Sequence, residues 1–136
     1  MNDEYDDTMD DEPVPSGELT LQTLAMPADT NPNGDVFGGW LMSQMDLAGS
    51  IKAAAIARGR ITTVAAGSMA FLRPVPVGAT ISCYAEVLEV GRSSVRILVD
   101  VWLYVAESGE RYKVTEGTFV YVAIDDNGRT RSIKQP

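Results

Sequence analysis

Histidine is absent from the 136 residues. That removes Ser-His-Asp and Cys-His nucleophile systems, histidine acid–base catalysis and histidine-based metal sites. Cysteine occurs once, as Cys83, so no internal disulfide can form. Cys83 lies between Ser82 and Tyr84 in a strand-like stretch and reads as a small packing residue rather than a nucleophile. One thiol and scattered acids do not make a structural zinc site, and no metal or other cofactor is expected. No apolar run approaches the roughly 18–20 residues a membrane span needs. No basic run or dense basic stripe is present to meet phosphates, so nucleic acid is not an expected partner.

What is present is the composition of an ordinary globular domain, 45% hydrophobic and 22% charged. The length is that of one domain able to bury a core. The formal net charge of −8 is unevenly spread. Residues Met1 to Ser16 hold seven acids (Asp3, Glu4, Asp6, Asp7, Asp10, Asp11, Glu12) and no base. The remaining body has twelve acids against eleven bases. A polar, acid-rich segment buries too little surface to fold alone. The expectation is a disordered acidic tail over 1–16 and a single domain over 17–136. An acidic N-terminus is not the pattern of a secretory signal or transit peptide, and the expected location is cytoplasmic.

Hydrophobic periodicity predicts one helix among strands. Leu19 to Met26 reads as a strand with Leu19, Leu21, Thr23 and Ala25 on one face. A loop rich in turn formers, Ala28 to Asp35, follows it. Phe37-Gly38-Gly39-Trp40 leads into a helix running to about Arg58, with Gly59 as its stop. Further strands are expected over Ile61–Phe71, Ala79–Val90, Ser94–Glu107 and Arg111–Asp125, separated by Pro- and Gly-containing turns. The order is β, one helix, then four β. Short turns imply an antiparallel meander packed on the helix, an α+β arrangement.

The helix holds the one chemically conspicuous residue. It is apolar or small almost all round, which predicts burial. Leu41, Met45, Ala48 and Ala55 share one face, and Met42, Asp46, Gly49 and Ala53 another. Asp46 is the only acid between Asp35 and Glu86. Asp is a poor mid-helix residue, and a buried one must be hydrogen-bonded, paired or protonated. A cost without a packing reason points to a site. The alternatives are an exposed stripe, or an ion pair with Lys52 or Arg58. With histidine absent, the remaining chemistry is a carboxylate acting on water or on an acyl group, helped by hydrogen-bond donors. Gly38 and Gly39 stand where the helix begins, where unpaired N–H groups meet the positive end of the dipole. That suits the oxyanion of acyl transfer, or simply a tight entry into the helix.

The run Asn31-Pro32-Asn33-Gly34-Asp35-Val36-Phe37-Gly38-Gly39-Trp40, continued by Leu41-Met42-Ser43-Gln44-Met45-Asp46, resembles the signature of YciA-type acyl-CoA thioesterases. Leu24-Ala25-Met26-Pro27, Phe71-Leu72-Arg73-Pro74-Val75, Gly91-Arg92-Ser93-Ser94-Val95 and Gly109-Glu110-Arg111-Tyr112 extend the likeness over about residues 19 to 133. The resemblance implies a single hotdog domain, a curved antiparallel sheet of about five strands wrapped round one long central helix. It implies metal-independent hydrolysis of acyl-CoA to free acid and CoA, in a homodimer that assembles further, often as a hexamer of three dimers. Carried over, Asp46 matches the catalytic acid, Asn31 the loop residue that binds the thioester or positions water, and Gly38 or Gly39 the oxyanion donor. Asn31 of one chain is expected near Asp46 of the next. Arg92, Ser93 and Ser94 match the turn that meets CoA, with Arg92 available to a phosphate.

The sequence departs from that pattern at Gly67 and Ala70, where relatives carry polar side chains. Ser68 keeps its place there, either as an ordinary strand serine or as a holder of the attacking water. The departure leaves a second reading, a non-catalytic acyl-CoA sensor on the same fold. A hotdog dehydratase or hydratase would rely on the missing histidine.

Overall fold

The computed structural model describes residues 14–133. The expected tail over 1–16 lies outside them except for Val14 to Ser16. Five strands and one long helix follow in chain order: β1 Glu18–Leu24, α1 Gly38–Ala57, β2 Ile61–Ala66, β3 Thr80–Val90, β4 Ser94–Tyr104 and β5 Arg111–Ala123. A short 3-10 turn, Pro27–Asp29, stands between β1 and α1. The strands form one sheet in the order β1-β3-β4-β5-β2, every neighbouring pair antiparallel. This is the expected hotdog, with α1 laid across one face of the sheet.

Period-two patterning builds the core. In β4 the residues Val95, Ile97, Val99, Val101 and Leu103 all point toward α1 and are buried. They meet Leu41, Met45, Ala48, Ala53 and Ala57 of the helix. The opposite face of β4 carries Asp100 and Trp102, which are also buried. Asp100 accepts a hydrogen bond from the Ser16 backbone N–H at 3.0 Å, and the Lys113 ammonium lies 3.3 Å from its other oxygen. The start of the described chain is thereby fixed to the outside of the sheet.

Several elements differ from the sequence expectation. In β1 a register shift between Leu19 and Leu21 breaks the alternation. Leu19 is left exposed, while Thr20 reaches the helix and donates to the Ala48 carbonyl at 2.9 Å. The strand expected over Ile61–Phe71 ends at Ala66. Gly67 still donates to Thr118, but the next backbone bond is Leu72 to Val114, and the Thr115 hydroxyl takes the Ala70 carbonyl. Pro74 and Pro76 follow directly and cannot extend a ladder. β4 stops at Tyr104 rather than Glu107, because the chain turns back through Val105 and Gly109.

The helix is the largest correction. Its buried stripe is Leu41, Met45, Ala48, Gly49, Ala53 and Ala57; Ala55 is not part of it. In the single chain Leu47 and Ile51 are 52% and 50% exposed on the far side. One sheet covers one side of a cylinder, so an all-round apolar helix keeps an open apolar face. The stop is also displaced by one residue. Arg58, not Gly59, takes the left-handed position at the C-cap, with φ 56°. Gly59 instead makes room for Arg131, whose guanidinium would lie 2.7 Å from a Cβ there. Because an L side chain is strained in that region, Arg58→Gly should stabilise the protein by about 0.5–1 kcal/mol. Denaturant unfolding with an unchanged m-value is the measurement.

Candidate active site

Asp46 is half-buried in the third turn of α1, on the margin between the buried and open faces. The Thr63 hydroxyl on β2 donates to its Oδ1 at 2.8 Å. Among the described residues its Oδ2 accepts no protein hydrogen bond, and no ion pair involves it. Lys52 is instead 2.7 Å from Glu18, and Arg58 forms the helix cap. The carboxylate therefore has one oxygen anchored and one open. Thr63 was missed in the sequence because nothing local marks it; only β2 running back along the helix brings it to Asp46.

Asn31 sits in the loop before the helix, where it holds the chain in a tight turn. Its backbone N–H donates to the Asp35 carbonyl, and its own carbonyl accepts from Gly34. Its side-chain Oδ1 accepts from the N–H groups of Asn33 and Asp35 at 2.9 and 3.2 Å. Both partners are donors, which fixes the amide orientation. The loop thus consumes the oxygen and leaves the Nδ2 group for a ligand. Asn31 is set up to donate to a carbonyl or a water, not to accept.

The loop is tied to the helix by the Phe37 N–H on the Asp29 carbonyl. Phe37 is the N-cap and has no side-chain capping bond. The first main-chain bond into the helix is from Leu41 to Phe37, so the N–H groups of Gly38, Gly39 and Trp40 have no helical acceptor. A Cβ on Gly39 would meet nothing within 4 Å, so the space beside Gly39 is open, whereas one on Gly38 would lie 3.4 Å from the Phe71 ring. Along the helix, Asp46 lies seven positions after Gly39, an axial distance of roughly 10 Å. The donors and the carboxylate of one chain are too far apart to act on the same thioester.

Arg92 and Ser93 form the turn between β3 and β4, and Ser94 begins β4. Ala123 donates to the Ser93 carbonyl, Ile133 to that of Arg92, and the Arg92 Nε reaches the Ser132 hydroxyl at 3.3 Å. Register places Val95 beside Tyr121 and Tyr121 beside Thr63. The turn therefore lies about two strand spacings, on the order of 10 Å, from the partner of Asp46. Ser94 belongs to the next row and faces away from the helix. Ser68 lies beyond the end of β2, exposed, rather than within a strand. It is not brought to Asp46 by any hydrogen bond among the described residues.

A hollow of about 560 Å³ lies elsewhere on the single chain, lined by Arg73, Trp102, Arg111, Tyr112 and Lys113 among others. It includes neither Asp46 nor Asn31. Around Asp46 lie exposed apolar side chains instead, Met42, Leu47 and Val64. Among the described residues no group of three His, Cys, Asp or Glu could hold a metal ion. No helix among them is long and apolar enough to cross a membrane.

An open carboxylate, an amide donor and a helix start free of caps are groups that acyl-transfer chemistry can use, here on a hotdog frame. Comparison with known proteins gives the same class. The thioesterase superfamily profile matches residues 33–105. The acyl-CoA thioester hydrolase YciA of Salmonella typhimurium is 54% identical over 129 residues, 93% of this chain and 96% of that protein. The hexameric thioesterase of Yersinia pestis superposes with a TM-score of 0.86 at 54% identity, covering 90% of this chain and all of that one. A hexameric broad-specificity acyl-coenzyme A thioesterase, crystallised as an aspartate-to-alanine mutant, gives a TM-score of 0.86 at 54% identity, covering 88% of each chain. The chain belongs to the YciA-type acyl-CoA thioesterases of the thioesterase superfamily. It is a thioester hydrolase acting on acyl-CoA.

Cys83 takes no part in that chemistry. It is fully buried in β3, and burial pushes its thiol up to about 12, so it is protonated at neutral pH. The folded protein should react negligibly with a thiol reagent such as Ellman's at pH 8. One equivalent should titrate only after unfolding.

Proposed function

We propose that hydrolysis takes place between two copies of the chain, with Asn31, Gly38 and Gly39 supplied by one and Asp46 with Thr63 by the other. The observation that carries this reading is the axial gap of roughly 10 Å between the helix start and Asp46, with apolar side chains left open around the carboxylate. The Asn31 Nδ2 and the N–H groups of Gly38 and Gly39 receive the thioester carbonyl oxygen. They stabilise the negative charge that gathers there as the carbonyl carbon becomes tetrahedral. Asp46, held through Oδ1 by Thr63, uses the free Oδ2. As general base it takes a proton from water while the water oxygen bonds to the carbonyl carbon. Collapse breaks the C–S bond, and the departing thiolate takes up a proton to give CoA and the free acid. As nucleophile, Asp46 Oδ2 would bond to the carbonyl carbon, the C–S bond would break with release of the CoA thiolate, and water would then open the resulting mixed anhydride to the free acid and the carboxylate. Arg92 meets a CoA phosphate, and Ser93 and Ser94 line its approach through the turn. Ser68 holds the attacking water from across the subunit boundary.

The relatives described as hexameric support a hexamer here, and we take it to be built from three dimers. The exposed edge strand β2, with Val64, and the open helix face with Leu47 and Ile51 supply the apolar area for dimer contact. A lone buried thiol needs no oxidising compartment, in keeping with a cytoplasmic site of action. The description of a relative as broad in specificity supports acceptance of several acyl chains.

The test is release of CoA thiol from a short and a long acyl-CoA. Asp46→Asn and Asp46→Ala should each lose about 10²–10⁴-fold in kcat with an unchanged melting temperature. Near wild-type hydrolysis by both would sink the reading. Thr63→Val, which keeps the shape and removes the donor, should cost about tenfold. Binding of acyl-CoA without thiol release by the unaltered protein would favour the sensor instead. Single turnover in oxygen-18 water detects the anhydride route when water opens it at the Asp46 carbon, since only that path carries label into Asp46.

A further inference from the structure

Tyr121 is the largest fully buried side chain among the described residues. It comes from β5, directly opposite Thr63 of β2 in the ladder. Its hydroxyl passes beneath α1 and donates to the main-chain carbonyl of Asp46 at 3.0 Å. The passage exists only because residue 49 is glycine: a Cβ there would stand 2.2 Å from the phenol oxygen. One rung of the sheet therefore grips Asp46 twice, Thr63 by its carboxylate and Tyr121 by its backbone. A carbonyl inside a helix already has an N–H partner one turn on. The fold does not need the tyrosine hydroxyl to satisfy that carbonyl, and a phenylalanine would fill the same volume.

We propose that Tyr121 and Gly49 together are a positioning device for the catalytic carboxylate. The hydroxyl bond fixes the depth and rotation of the third helical turn against β5. That holds Oδ2 at the distance its partner-subunit substrate requires. Burial pushes the phenol well above its usual range, and the charge of Asp46 pushes in the same direction, so the group remains a donor at every working pH. The same rung continues through Val95 to the start of β4, beside the Arg92–Ser94 turn. The carboxylate and the turn assigned to CoA are thus referenced to one row of the sheet. This inference rests on Asp46 being the catalytic group.

The experiment is steady-state kinetics on the full chain, well below its melting temperature, for Tyr121→Phe, Gly49→Ala and the two combined. Tyr121→Phe should lower kcat on the order of five- to tenfold with KM nearly unchanged, because ground-state binding is untouched. Gly49→Ala should do at least as much, since its methyl group displaces the phenol. Adding Tyr121→Phe to Gly49→Ala removes the oxygen that clashes and should restore part of the lost rate, a coupling that two independent structural lesions would not show. Wild-type kcat in Tyr121→Phe, or strictly additive losses in the pair, would overturn the proposal. If Gly49→Ala fails to fold, the Tyr121→Phe kinetics alone decide. Failure of the underlying reading looks different: Asp46→Asn would then keep its activity, and both conclusions would fall together.

Discussion

The structure depends on how closely α1 can lie on the sheet. Beside Leu41 and Met45, the buried stripe of the helix is made of small residues, Ala48, Gly49, Ala53 and Ala57, and they let side chains of β1 and β5 reach its backbone. The approach is close enough that two side chains from different strands bond to main-chain oxygens of the helix, Thr20 to Ala48 and Tyr121 to Asp46. Larger residues in the stripe would raise the helix by an ångström or more and break these contacts at once, because packed interiors do not absorb such a change locally. Everything that orients Asp46 follows from that short separation.

How much of this could be read in the sequence depends on the range of the interaction. The element order, the α+β class and the conspicuous acid at position 46 are written in local pattern, and each is present in the structure. The boundaries that failed did so where a distant partner decided. Ala70 gives its carbonyl to Thr115 rather than to a ladder. Leu19 loses its place to Thr20 through a bulge that only pairing with β3 creates. The helix was expected to be buried all round because its composition says so, and a single chain provides cover for one side only. Of the proposed site, Asp46, Asn31, Gly38 and Gly39 are visible as residue types at suggestive positions. Thr63 and Tyr121 are not, since an ordinary strand threonine and an ordinary core tyrosine carry no local mark.

The loop before the helix shows how a weakly structured stretch can serve as a rigid support. Asn31 spends its amide oxygen on two backbone donors within its own loop, while Phe37 and Val36 tie that loop to Asp29 and Val75. The remaining amide donor is held in place before any substrate arrives, which is the condition under which hydrogen bonding assists a reaction without reorganisation. Asp46 is prepared in a complementary way, with one oxygen engaged and the other left open. Two polar groups, each half-satisfied by its own chain, are suited to meet across a boundary.

The strand order carries a consequence for how the chain acquires its fold. β2 follows the helix directly, yet its only partner in the sheet is β5, the last strand to be made. β1 must wait for β3, and the Ser16 amide for Asp100, 84 positions further on. The apolar helix has no complete sheet to rest on until nearly all of the sequence exists. Such non-local closure is slow and exposes hydrophobic surface while it is pending. During synthesis the first half of this protein therefore has no finished sheet to cover its helix, and the buried stripe of α1 is closed over only when β5 slides into the gap between β4 and β2.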